Sequence, residues 1–497
     1  KECQPAPMSF ETYGSFESSE YTGTPNIAFS LFDVSSGSIR LPISLKYDAT
    51  GIKVNQEASS VGLGWGLVFG GSIIHVVNGQ DDFSSYSATT DKQFRDSIYS
   101  ITKGYHAAYV PQDYFIDWDL GLGLLDAGQA NRVSERLYWR SLLMEDLAHG
   151  MHTPDVFHAN FCGHSVTFTF DSRTKEMKIL DDNACKYKIE FEYGGSVYPS
   201  HFDITDDMGV KYVFQAFCEY ERLDCYYLTE ICGLNPNDVI TISYTQYRQK
   251  GQYDLYQSVG HLKTSTGVYP GDLSDLLGTH SKASSTLLYR ETLYPTIIES
   301  HREKVLFDLE NREDIQGSKA IKSIRVISKN DNVQTHNFSF DYDYFLEEQN
   351  GKGTNCPLVG YTDQEYSGKR LKLTGVVLDD KKYSFFYDTR TPLPYVTSLS
   401  QDYWGYYNGV DNGDKFCSSP SYSISGGSLS EVEHLGDANR QASPSKMLCG
   451  MLKKIVYPTG GYTEFEFESH HFNDSYYYPC AERPYRKATS SISVYSV

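Results

Sequence analysis

The sequence lacks most of the short motifs that announce chemistry. No two of its 10 cysteines form a Cys-x-x-Cys pair, which argues against a zinc ribbon. The glycine-rich run around Gly62 to Gly71 is not followed by Gly-Lys-Ser/Thr, so it is no phosphate-binding loop. There is no Gly-x-Ser-x-Gly nucleophile elbow, and no Glu completes a zinc-protease motif at His149 and His152. No apolar stretch reaches the ~20 residues that a membrane-spanning helix needs. Basic residues are scarce: 44 Lys and Arg face 64 Asp and Glu, a formal net charge of -20. A surface of that sign repels phosphate backbones, which excludes nucleic acid as the expected partner. Tryptophan is rare as well, with 4 in 497 residues.

What is abundant is tyrosine, 41 residues, with 26 Phe beside it. Aromatic side chains suit pleated, half-buried surfaces, and Tyr in particular joins an apolar body to a wet tip. One pattern recurs: a short apolar step, a polar turn, then an alternating strand with aromatics. Leu228-Thr229-Glu230-Ile231 leads to Ile240–Tyr244, and Pro295-Thr296-Ile297-Ile298 leads to Val305–Leu309. Ile321–Ile324 leads to Phe338–Tyr342, Leu371–Val376 to Tyr383–Tyr387, and Leu452–Ile455 to Thr463–Phe467. Each unit reads as a β-hairpin with one buried face. A lone hairpin cannot bury that face, so the units must join in a larger sheet. Pro25–Leu31, Leu41–Tyr47, Val166–Phe170 and Tyr187–Tyr193 also read as strands, and Ile204–Phe214 as a hairpin with a polar turn. Alternate glycines beside Trp65 predict a bent or bulged strand with close backbone approach. Residues 246–292 and 405–445 are polar and read as long excursions between strands.

The fold class predicted is therefore mainly β: stacked hairpins forming a large curved sheet or shell segment, with a small, partly helical insert. Residues 1–20 read as a tail, 21–470 as one β module with the insert at about 85–150, and 471–497 as a divergent end.

Several segments resemble bacterial RHS/YD-repeat proteins, in particular the N-terminal region of large surface or secreted members. They are Tyr21–Pro25, Leu41–Tyr47, Gly51–Val54, Ala58–Trp65 with its Gly-Leu-Gly-Trp, Gln401–Gly409 and Tyr457–Thr463. The Gly-Leu-Gly-Trp element is shared in outline with toxin-complex B components. The resemblance implies an RHS-like shell and an extracellular or cell-surface role. The long tandem repeats, the aspartate-containing self-cleavage motif and a C-terminal toxin domain are not matched, so toxin delivery is not carried over. Lys1-Glu2-Cys3-Gln4-Pro5 does not read as a signal peptide, so a surface location implies one already removed. Cys3 is where a lipid anchor would attach, with nothing else in support. The even cysteine count leaves disulfides and buried thiols both open.

No catalytic residue is nominated, and the chain is read as non-enzymatic. The paired acids Asp206-Asp207 and Asp379-Asp380 fall where hairpin turns belong, and adjacent strand residues point to opposite faces, unlike a glycosidase pair. No cofactor is expected and no metal site is nominated. Asp411 and Asp414, in an oxygen-rich loop, come nearest to one but lack the distal bidentate Glu. Trp65 reads as core. Trp404, flanked by Tyr403, Tyr406 and Tyr407, reads either as structure or as an aromatic platform, and these four are the candidate binding residues. The function expected is a structural and interaction module that encloses or docks a partner protein. The alternative is a surface glycan- or peptide-binding protein of an outer-membrane uptake system.

Overall fold

The computed structural model describes residues 23–78, 155–171, 176–181, 184–193, 198–217, 225–256, 284–346, 358–359, 368–412, 419–425, 428–435, 438–469 and 492–496. The helical insert expected at about 85–150 and most of the divergent end lie outside them, as do Asp414, His149 and His152. Among the described residues the chain is nearly all strand, with a single short 3-10 turn at Ala184–Lys186.

The first sheet contains β1 (Ile27–Ser36), β2 (Ile39–Tyr47) and β3 (Trp65–Val68). The next strands are β4 (Gly71–Val76), β5 (Val156–Phe161), β6 (His164–Asp171) and β7 (Glu176–Ile179). Then come β8 (Tyr187–Tyr193), β9 (Pro199–Asp206), β10 (Lys211–Ala216) and β11 (Cys225–Cys232). The long pair β12 (Val239–Tyr256) and β13 (Ser284–Glu299) follows. The series continues with β14 (Glu303–Asn311), β15 (Lys319–Ser328), β16 (Gln334–Leu346), β17 (Leu358–Val359), β18 (Lys369–Leu378) and β19 (Lys381–Tyr387). A separate hairpin is β20 (Ser419–Ser425) with β21 (Ser428–Leu435). The last strands are β22 (Leu452–Val456), β23 (Tyr462–Ser469) and β24 (Ile492–Ser496).

All five predicted hairpins are present, and in register. Ile231 faces Ile240, Ile298 faces Val305, Ile324 faces Phe338, Val376 faces Tyr383, and Ile455 faces Thr463. Each pair puts two buried or mostly buried side chains on the same face, which fixes the register: a one-residue slip would turn the whole apolar set to water. The turns follow their chemistry. Asp206 Oδ1 accepts from the Met208 and Val210 amides, both at 2.9 Å, and Asp379 takes a left-handed φ of +54° in a two-residue loop. Two expectations are corrected. Residues 246–256 and 284–292 are not excursion but the far halves of β12 and β13, and 405–445 contains the β20–β21 hairpin. These stretches are held by ladder hydrogen bonds between polar residues, which an apolar pattern does not reveal.

The hairpins join into one antiparallel series running from β24 through β23, β22, β19, β18, β16, β15, β14, β13 and β12 to β11. There the sheet forks. One edge of β11 carries β10, β9 and β8; the other is shared, with Cys225–Tyr227 pairing to β4 and Glu230–Cys232 to β12. Tyr244 fills the fork, its hydroxyl donating 2.9 Å to the Leu228 carbonyl. The β4–β7 branch faces β8–β11 across an aromatic core in which Phe202 lies 5.4 Å from Phe157, 5.7 Å from Phe168 and 4.7 Å from Tyr226. Among the described residues no ladder joins β7 to β8, and the branch does not close into a barrel. Side chains bridge part of that seam, with Tyr187 Oη and His164 Nδ1 3.0 Å apart and the Phe170 and Phe191 rings 5.8 Å apart.

The β1–β3 sheet lies as a second layer on β18, β19 and β22. Phe29 packs 5.3 Å from Tyr383, and Trp65 packs 4.6 Å from Phe385. The Trp65 indole donates 2.8 Å to Tyr387 Oη, which donates to the Leu373 carbonyl; the Leu452 amide donates 2.9 Å to Tyr47 Oη. Burial holds the Tyr47 and Tyr387 hydroxyls well above their ordinary pKa, so both stay protonated donors. Gly62 sits at φ +107°, where a Cβ would meet the Leu373 nitrogen at 2.9 Å, so the predicted close backbone approach is real. A buried ion pair fastens the same loop. Arg312 and Asp314, each 2% exposed, make a two-pronged contact at 2.9 and 2.7 Å. Arg312 also donates to the Ala58 and Ser59 carbonyls at 3.1 and 2.8 Å, and Asp314 accepts from the Leu371 amide at 2.8 Å.

Candidate functional site

Between Asp388 and Asn412 the chain leaves the ladder and is held instead by buried side-chain amides and hydroxyls. Asn412 Nδ2 donates 2.9 Å to the Leu399 carbonyl and its Oδ1 accepts the Asn439 amide at 2.8 Å. Asn408 Nδ2 reaches the Asn439 and Gln441 carbonyls at 3.0 and 3.2 Å, and Ser400 Oγ donates 2.6 Å to the Val410 carbonyl. Such satisfied polar contacts fix a loop much as a ladder fixes a strand.

At its apex is a tight turn built on Asp402, whose side chain is buried. Its Oδ1 accepts the Trp404 and Tyr406 amides, both at 2.9 Å, and its backbone pairs with Tyr406 and Gly405. Gly405, at φ +92°, closes the turn. Burial pushes the Asp402 carboxyl above the usual carboxylate range, against the opposing pull of those amides and of Arg440. Arg440 Nη2 donates 2.6 Å to the Asp402 carbonyl, and its guanidinium carbon lies 5.3 Å from the centre of the Tyr403 ring.

The four candidate aromatics divide in two. Tyr403 and Trp404 project outward, 46% and 36% exposed, with their rings perpendicular and 6.4 Å apart. Tyr406 and Tyr407 pack against the core. Tyr406 Oη donates 3.0 Å to the Thr50 carbonyl, and Val54 bonds the Gly405 carbonyl at 2.8 Å, so the turn is stitched to the 48–57 loop. Asp402 and Arg440 escaped the sequence reading. The Asp-x-x-Gly spacing was the signal available for the turn; Arg440, distant in sequence, gave none. Asp411 is exposed, Asp414 lies outside the described residues, and among the described residues no three His, Cys, Asp or Glu gather as metal ligands.

The thiols of Cys162, Cys185, Cys232 and Cys449 are free. Beside the turn, beyond Thr50, a cleft of about 650 Å³ opens over the end of the β1–β3 sheet.

No protein-family model matches the chain, and no curated protein matches it. Among solved structures it is similar to the crystal structure of TcdB2-TccC3, with a TM-score of 0.34 and 8% identity over 76% of this chain and 17% of that one. It is also similar to the Photorhabdus luminescens Tc holotoxin pore, with a TM-score of 0.33 and 8% identity over 74% of this chain and 16% of that one. A third is the crystal structure of TcdB2-TccC3-Cdc42, with a TM-score of 0.26 and 9% identity over 96% and 21%. The chain thus spans about a fifth or less of the chains it matches.

Proposed function

We propose that the chain is a non-enzymatic structural and interaction module of RHS-like type, working outside the cell or at its surface by docking or enclosing a partner protein. The observation that carries this reading is the Asp402 turn. A buried carboxylate that accepts two amides, with two further backbone bonds, holds Tyr403 and Trp404 outward beside Arg440. Tyr, Trp and Arg are the residues that dominate binding energy at protein interfaces, because a pre-set aromatic loses little entropy on contact. The fold supports the reading: a forked sheet of hairpins offers broad faces and strand ends on which another chain can seat. The test is affinity capture from the cell envelope of the producing cells with the native chain and with Trp404→Ala. A partner retained by the native chain and lost with the variant is the expected result. An identical set of captured proteins from both would overturn it.

A further inference from the structure

Five glycines crowd the run from Gly62 to Gly71, and the fold explains four of them. Gly62, Gly64 and Gly70 take left-handed φ angles of +107°, +77° and +63°. Gly71 is extended, but a Cβ there would lie 2.3 Å from Phe161. Gly66 has neither reason. It is not among the left-handed glycines, and among the described residues no heavy atom lies within 4 Å of where its Cβ would stand. It sits in the middle of β3, where glycine weakens a strand and any β-former would serve better. What remains to account for a glycine inside a strand is the close approach of something else to its backbone.

Gly66 faces outward, because its neighbour Trp65 is buried and its register partner Lys46 is exposed. Outward from it is the cleft, lined also by Asn26, Lys46, Asp48, Thr50 and Gln56. We propose that this cleft binds a neutral carbohydrate chain, with the Gly66 backbone as the floor on which a sugar ring lies. A pyranose has an apolar face and a rim of hydroxyls that donate and accept alike. The cleft repeats that division. Val68, exposed and on the same face as Gly66, supplies the apolar floor beside it, and the strand is anchored from below by Trp65, which points inward to Tyr387. The rim is amide, hydroxyl and carboxylate. Gln56 accepts the Lys53 amide at 3.1 Å through Oε1, which turns its NH2 into the available donor. Thr50 Oγ1 donates 2.8 Å to Asp48, which leaves its lone pairs to accept. Asp48 and Glu57 outnumber Lys46 in the lining, which disfavours an anionic sugar. The volume suits a short oligosaccharide segment rather than a single small molecule.

This inference is independent of protein docking at Trp404, since different side chains line the two surfaces. Its test is an array of neutral and acidic oligosaccharides probed with the intact chain, followed by calorimetric titration of the strongest binder. Gly66→Leu fills the cleft from its floor without backbone strain. It is expected to weaken binding at least tenfold while leaving the melting temperature unchanged or raised, and Trp404→Ala is expected to bind as the native chain does. Asn26→Ala, at an exposed rim position, is expected to weaken binding severalfold and serves should Gly66→Leu fold poorly. Neutral glycans absent from the binders, or equal affinity in native, Gly66→Leu and Asn26→Ala chains, would overturn the proposal. Binding to a peptide array that Gly66→Leu abolishes would overturn it in favour of a peptide.

Discussion

Removing Asp314 tests how the two layers are fastened. Asp314 and Arg312 are each 2% exposed and bonded to one another and to backbone on both sides. Asp314 meets Arg312 Nε and Nη2 at 2.9 and 2.7 Å and accepts the Leu371 amide at 2.8 Å; Arg312 Nη1 spans the Ala58 and Ser59 carbonyls. Asp314→Ala leaves a guanidinium buried with carbonyls alone and strips the Leu371 amide of its acceptor. Breaking a buried pair from one side costs about 3–5 kcal/mol, because the surviving charge can neither reach water nor find a counter-charge. The double change Arg312→Met with Asp314→Leu removes both charges. It still orphans two carbonyls and one amide, but should cost less than the two single changes summed, by about 1–3 kcal/mol of coupling. Urea unfolding followed by Trp fluorescence measures the native chain, Asp314→Ala, the single changes Arg312→Met and Asp314→Leu, and their double, since Trp65 lies in the layer that the pair fastens. Protection of the Ser59–Leu63 amides from hydrogen exchange should fall in parallel. A cost below ~1 kcal/mol for Asp314→Ala, or strict additivity in the cycle, would refute the reasoning.

Three further outcomes are expected. Gly62→Ala should cost about 1–3 kcal/mol, because its φ of +107° and the Leu373 nitrogen both oppose a Cβ, whereas Gly66→Ala should be neutral or stabilising; thermal melts of the two variants read the contrast. Asp402, its carboxyl raised by burial, contributes stability that is full below the unfolded carboxylate pKa of about 3.9 and lost as pH rises through the higher folded value. Melting temperatures between pH 4 and 7 should therefore show a fall in the native chain that Asp402→Asn lacks; parallel profiles would remove the burial argument. Burial pushes the Cys162 and Cys449 thiols up to about 12, so iodoacetamide at pH 8 should modify exposed Cys185 first and those two only after unfolding, as peptide mass spectrometry will show.

Much of the sheet was legible because its energetics are repetitive. Wherever a buried face alternates with a polar one, as from Leu371 to Tyr387, the sequence carries strand, turn and register together, since burying each large apolar side chain stabilises by about 1.5–3 kcal/mol and only one register buries them all. Gly62, Gly64, Gly70 and Gly71 announced close backbone approach because crowding or a left-handed φ opposes any side chain there. Legibility failed where the backbone is satisfied by polar partners. The far halves of β12 and β13 are rich in Gln, Tyr, Ser and Thr and carry no apolar period, so ladder bonds alone define them. The fork at β11 depends on β4 and β12 sharing one edge, with Tyr244 wedged between them, and such long-range competition leaves no local trace. The aromatic cluster around Trp404 was found by composition, but its division into exposed Tyr403 and Trp404 and anchored Tyr406 and Tyr407 follows from Asp402, which reads locally as one more loop aspartate.

The most direct test of the docking account is a photoreactive benzoylphenylalanine placed at position 404 of the intact chain and irradiated in the envelope of the producing cells. A second chain should carry it at Leu234, which is 78% exposed and remote from the Asp402 turn in sequence. The account predicts a covalent adduct with one partner protein from position 404 and none from position 234. No adduct from 404, or the same adducts from both positions, would contradict it.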